Sequence, residues 1–117
     1  MYNFEKLEVW KKARAFIRKI YEVTAKYPRE EKFGLTQHTR DSVISISSNI
    51  AEGGSRRSKT ESKRFIEIAL GSLYETVTQL FIALDNNYMK QDMFGKLYAE
   101  SETIARMLSG LSSSLNQ

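Results

Sequence analysis

The chain has 117 residues, of which 41% are hydrophobic and 27% charged, with a formal net charge of +4 and no cysteine. That length suits one domain over residues 1–117, and the missing cysteine excludes disulfides, thiolate metal sites and a cysteine nucleophile. The first residues hold no apolar signal-type run, and no apolar run reaches the roughly 18 residues of a membrane span, so a cytoplasmic protein without a membrane partner is expected.

A first helix is predicted from about Leu7 to Ala25. Val9, Trp10, Ala13, Phe16, Ile17, Ile20, Tyr21 and Thr24 recur at helical spacing on one face. Lys11, Lys12, Arg14, Arg18, Lys19 and Lys26 fall opposite them. Pro28 is the only proline and forces a connection from Tyr27 to Gly34. The second helix reads from about Leu35 to Glu52, with Leu35, Val43, Ile46 and Ile50 as its stripe and Gly53-Gly54 as its stop. Ser42, Ser45 and Ser48 or Asn49 run beside that stripe and allow a neighbouring helix to come close. Val43-Ile44-Ser45-Ile46 is β-branched enough for a strand, but no partner strand is evident.

Ser58-Lys59-Thr60-Glu61 has the form of a capping box and opens a third helix that runs to about Asn86. One stripe holds Phe65, Ile68, Ala69, Ser72, Thr76, Leu80 and Ala83, and a second holds Ile66, Leu70, Leu73, Val77, Phe81 and Leu84. A helix apolar on two faces needs cover on both, which points to subunit contact. The fourth helix, about Asp92 to Leu115 with Asp92 as its N-cap, carries a heptad seam of Phe94, Leu97, Ser101, Ile104, Leu108, Leu111 and Leu115. Four such helices with short connections imply an all-α protein, an antiparallel up-down four-helix bundle.

Catalysis has few residues to draw on. The single histidine, His38, reads as having no Cys or carboxylate at ligand spacing, and the helical carboxylates include no Glu-x-x-His pair. Phosphate-loop, dinucleotide and nucleophile-elbow patterns are missing. A non-enzyme without metal or cofactor is expected.

Charge is unevenly divided. Residues 1–64 carry 15 Lys and Arg against 8 Asp and Glu, whereas residues 65–117 carry 3 against 6. Arg56, Arg57, Lys59, Lys63 and Arg64 span a loop and the first turn of the third helix. Cations at a helix N-terminus oppose its dipole, so local stability does not explain them. Phosphate contacts would, helped by the free N–H groups there. Lys11, Lys12, Arg18 and Lys19 extend this candidate nucleic-acid-binding set, and a merely solvated charged segment is the alternative. Glu52 at a helix C-terminus suggests pairing with Arg56, Arg57 or Arg64, or with Arg40 of a neighbouring subunit. Trp10, Phe16, Tyr21, Phe65, Phe81 and Phe94 stand at helical spacing and read as core rather than as a base-stacking platform.

Phe4-Glu5-Lys6-Leu7-Glu8-Val9-Trp10-Lys11-Lys12-Ala13, Tyr27-Pro28 with Phe33-Gly34-Leu35, and Ser45-Ile46-Ser47-Ser48-Asn49-Ile50-Ala51-Glu52-Gly53 form one set with Lys63-Arg64-Phe65 and Ile68-Ala69-Leu70-Gly71-Ser72-Leu73-Tyr74-Glu75. This set resembles the bacterial four-helix-bundle family first noticed in intervening sequences of the 23S ribosomal RNA gene, with accessory proteins of diversity-generating retroelements as relatives. The resemblance spans nearly the full length. It implies an up-down bundle assembled into a homopentameric ring and, for the retroelement relatives, a basic surface that engages nucleic acid and a reverse transcriptase. Where the family often has Gln-Leu-Arg-Arg-Ala, this chain has His38-Thr39-Arg40-Asp41-Ser42, and Ser47 replaces a frequent proline. The resulting expectation is a non-catalytic homo-oligomer whose basic surface binds RNA or DNA. A protein-interaction scaffold without nucleic acid is the alternative, and an enzyme with carboxylates in the bundle core is a third.

Overall fold

The computed structural model describes residues 1–116. A 3₁₀ turn at Asn3–Lys6 precedes α1 (Glu8–Thr24); a second at Arg29–Glu31 leads into α2 (Leu35–Ser55), followed by α3 (Lys59–Asp85) and α4 (Gln91–Ser114). Both 3₁₀ turns were unforeseen, while each helix begins and ends within three residues of its expected bounds.

Each helix packs against its neighbours in the chain, and α1 meets α4 to close the ring. Contact residues run in opposite senses at every seam. Along α1 and α2, Arg40 reaches Thr24 at one end while Leu7 lies against Gly54 at the other. Along α2 and α3, Ser42 meets Thr76, Ser45 meets Ser72 and Gly53 abuts Ile66. Along α3 and α4, Phe81 meets Phe94 and Lys63 meets Asn116. Across α4 and α1, Leu111 and Leu115 border a cleft with Leu7, and Glu100 pairs with Lys19. The bundle is therefore up-down-up-down, 45 Å long and about half as wide.

The core follows the expected stripes with local changes. Phe16, Ile20, Val43, Ile46, Ile50, Ile66, Leu73, Leu80, Leu97, Ile104 and Leu108 are fully enclosed. The α4 seam is buried from Phe94 to Leu108, and Leu111 and Leu115 are half-buried at its end. On α1 the buried face includes Val23, whereas Tyr21 stays exposed. Small residues bring α2 and α3 together: Ser42 and Thr76 share a 2.7 Å hydrogen bond and Ser45 and Ser72 one of 2.9 Å.

Four expectations need correction. Gly53-Gly54 does not end α2, which continues to Ser55. These glycines serve close approach: a Cβ on Gly53 would lie 3.1 Å from both Ile66 Cδ1 and Ser62 O, and one on Gly54 would lie 3.2 Å from Phe4 Cβ. Asp92 is not the α4 N-cap. Lys90 holds that position, and Asp92 Oδ1 accepts from the Met93 amide inside the first turn. The second stripe of α3 is largely covered within the chain, because α2 and α4 both pack on this helix. Ile66 and Leu73 are buried, Leu70, Val77 and Leu84 half-buried, and only Phe81 of that stripe stays exposed. Finally, α3 is long and apolar enough in composition to cross a membrane. Its buried Ser62 and Thr76 and its Ser72–Ser45 hydrogen bond match the polar inner edge of α2 instead.

Candidate nucleic-acid interface

Antiparallel packing places the start of α1, the end of α2, the start of α3 and the end of α4 at one end of the bundle. Ser58 caps α3 there, its Oγ accepting the Glu61 amide at 3.1 Å, which leaves the amides of Lys59 and Thr60 without intrahelical partners. Lys6, Lys11, Lys12, Arg56, Arg57, Lys59, Lys63 and Arg64 share this end with Glu5, Glu8, Glu52 and Glu61, eight cations against four carboxylates among the described residues. Counted to the same depth of five residues into each helix, the opposite end carries Lys19, Lys26, Arg29, Lys32, Arg40, Lys90 and Lys96 with Glu22, Glu30, Glu31, Asp85 and Asp92, seven against five. The positive excess is thus larger at the end that holds the 56–64 segment.

The nine cations singled out in the sequence separate into groups. Arg56 Nη2 donates to Glu52 Oε2 at 2.6 Å, and its guanidinium lies 4.7 Å from the centre of the Phe65 ring. Glu52 thereby has the partner its position demanded. Lys11 Nζ pairs with Glu8 Oε1 at 3.3 Å, and Lys63 Nζ donates to Asn116 Oδ1. Lys12, Arg57, Lys59 and Arg64 have no carboxylate within 4.0 Å among the described residues. These four are the cations most open to a phosphate. Arg18 and Lys19 do not join them. They lie about 10 Å further along α1, from a rise of about 1.5 Å per residue. Arg18 Nε faces Glu22 Oε1 at 3.8 Å, and Lys19 pairs with Glu100 across the α1–α4 seam.

The aromatic residues behave largely as packing groups. Phe16 and Phe94 are buried, and Phe81 packs on Phe94 with ring centres 4.7 Å apart. Trp10 is held between Phe4 and the Arg14 guanidinium. Arg40 lies 4.4 Å from the Tyr21 ring centre and donates to Thr24 Oγ1 and Tyr21 O of its own chain, with no contact to Glu52.

Two features escaped the sequence. His38 is not isolated: with Asp41 and Glu75 it lines a cleft of about 370 Å³ between α2 and α3. Asp41 follows at i+3, a visible signal, whereas Glu75 arrives only through the fold. Among the described residues no group of three His, Cys, Asp or Glu could hold a metal ion. At the end opposite the cations, Glu31 accepts hydrogen bonds from the Leu35 amide and Tyr88 Oη, which hold its carboxyl below its usual range. The same contact raises Tyr88, and burial pushes Tyr27 up to about 12.

The family described as 23S rRNA-intervening sequence protein matches residues 5–110. No curated protein matches the chain. Among solved structures, the chain is similar to a protein of unknown function from the S23 ribosomal protein family of Bacteroides thetaiotaomicron VPI-5482, with a TM-score of 0.80 and 21% identity over 89% of this chain and 97% of that one. That likeness carries the fold.

Proposed function

This chain belongs to the 23S rRNA-intervening sequence protein family, and we propose that it is a non-catalytic homo-oligomer whose basic end binds RNA or DNA through phosphate contacts. The observation that carries this reading is the larger charge excess at one bundle end, where Lys12, Arg57, Lys59 and Arg64 stand free of carboxylates among the described residues. A few phosphate contacts per subunit give modest, salt-sensitive affinity. Repetition of the same end around an oligomer multiplies it.

Assembly has its own support. Ile68 and Ile82 on α3 are 42% and 44% exposed, and Ile44 on α2 is 40% exposed. Phe81 and Tyr74 are open on another part of the α3 circumference, beside Tyr98 of α4. Two different apolar flanks suit a head-to-tail contact, which closes into a ring when the rotation permits. Five copies is the number that the family resemblance implies.

Fluorescence anisotropy on mixed RNA and DNA oligonucleotides at about 50 mM salt tests the first part. Binding that weakens steeply with salt is expected; its absence, or indifference to salt, overturns the nucleic-acid reading. Light scattering at micromolar concentration tests the second, and a monomeric mass overturns it. Ile82→Glu should lower the observed mass.

A further inference from the structure

The basic end also contains an apolar cleft of about 220 Å³, framed by the start of α1, the α2–α3 junction and the last turns of α4. Leu7, Ile66, Leu111 and Leu115 line it together with Gly53 and Gly54. Its polar groups are those of Arg56 and Ser62. Arg57 and Lys59 follow on the same loop and helix start, with no carboxylate partner among the described residues. An aliphatic hollow beside unpaired cations is complementary to a group that is greasy at one point and anionic around it.

We propose that this cleft docks a short acidic segment of a partner protein, which seats one aliphatic or aromatic side chain against Leu7, Leu111 and Leu115 and sets its carboxylates toward Arg56, Arg57 and Lys59. Two physical arguments select this occupant. A splayed nucleobase needs hydrogen bonds along its edge and a planar stacking partner, and this lining supplies neither in quantity. A leucine or phenylalanine side chain carries no such debt and leaves water entirely to its advantage. Carboxylates next to it meet the same cations, and the α3 N-terminus, that would take phosphates. The site therefore extends the nucleic-acid reading by a protein partner at the same end, anchored where a nucleic acid does not reach.

The test uses the full chain and two fluorescently labelled acidic peptides that differ only in a central leucine or serine. Anisotropy at about 50 mM salt should show the leucine peptide binding roughly tenfold or more tightly. Leu115→Trp, which fills the cleft from the end of α4, should abolish that preference and leave oligonucleotide binding unchanged. Leu115→Ala, which deepens the cleft, should shift the preference toward a third peptide of the same sequence with a central tryptophan, and serves if the filled variant misfolds. Arg57→Glu with Lys59→Glu should weaken both peptides. Equal binding of the two peptides, or binding of neither, overturns the proposal. Loss of oligonucleotide binding in a folded Leu115→Trp overturns it as well, since the cleft would then hold a base. The oligonucleotide titration on the unaltered chain judges the nucleic-acid reading by itself.

Discussion

Tyr88 Oη donates to Glu31 Oε2 at 2.8 Å while the other oxygen of that carboxylate accepts the Leu35 amide at 3.1 Å. One side chain thus caps α2 and ties it to the α3–α4 loop, 57 residues away. Both partners are set in place by local geometry. A Cβ on Gly34 would lie 2.8 Å from Glu31 Oε1, so the glycine leaves room for the cap. Asn87 takes the left-handed conformation (φ 62), and the Tyr88 and Asn87 amides return to Ala83 O and Leu84 O. That is a Schellman stop with asparagine in place of glycine, and it delivers Tyr88 toward Glu31.

Acid should therefore weaken this knot. The Glu31 carboxyl is held below its ordinary 4.5, first by the Leu35 amide and then by Tyr88. A depressed folded value means stability that is present above the unfolded value and lost as pH falls through the folded one. Thermal melts from pH 7 down to about pH 3 should show a larger loss of Tm in the wild type than in Glu31→Gln, with Tyr88→Phe in between. Parallel curves for all three proteins would refute the assignment.

Tyr27 offers the opposite sign. It is 7% exposed, and its hydroxyl has no hydrogen-bond partner among the described residues. Burial raises it from 10.0 to about 12, so its contribution is complete below 10 and disappears as pH rises through the folded value. Tyr27→Phe removes the unpaired hydroxyl and should raise stability by about 1 kcal/mol. The variant should also lose less stability than the wild type under alkaline conditions. Urea melts at neutral and high pH check both points.

Glycines in the helices should respond in opposite directions. At Gly71 an added Cβ meets nothing within 4 Å among the described residues, so Gly71→Ala should stabilise by up to about 1 kcal/mol through helix propensity. At Gly53 the same atom meets the Ser62 carbonyl, which belongs to the α3 backbone and yields poorly. Gly53→Ala should lose about 1 kcal/mol net, since overpacking of about 1–3 kcal/mol outweighs the propensity gain. Equal stabilisation of both variants would mean that the α2–α3 approach is looser than drawn.

Lys19 and the pair Arg57 and Lys59 should separate stability from binding. Lys19 holds Glu100, whose other oxygen is buried without a partner among the described residues. Lys19→Met should cost about 1 kcal/mol in a chemical melt and barely change oligonucleotide affinity. Arg57→Glu with Lys59→Glu should do the reverse, and it should flatten the dependence of log K on log salt. A Lys19→Met protein that binds as poorly as the charge-reversed one would restore Lys19 to the interface.

Residue types and their local periodicity were enough for much of this molecule. The α4 seam from Phe94 to Leu108, the Ser58 cap and the small-residue edge of α2 depend on neighbours three or four positions away, which a linear chain displays. The pairing of Glu52 with Arg56 is of the same kind. The candidate cations were also legible one by one.

Their convergence was not. Lys12 shares one bundle end with the 56–64 cluster, and Lys19 is drawn off to Glu100, only because the four helices run antiparallel. Two glycines in a row suggest a helix stop in the sequence, and only the facing Ile66 and Phe4 make them points of contact. The two stripes of α3 show how much of it is apolar, but not that α2 and α4 cover most of it. What the order of residues determined was each helix, its inner edge and its charge. Which groups ended as neighbours was decided by tertiary packing, since contacts between residues 50 or more positions apart carry no periodic trace in the chain.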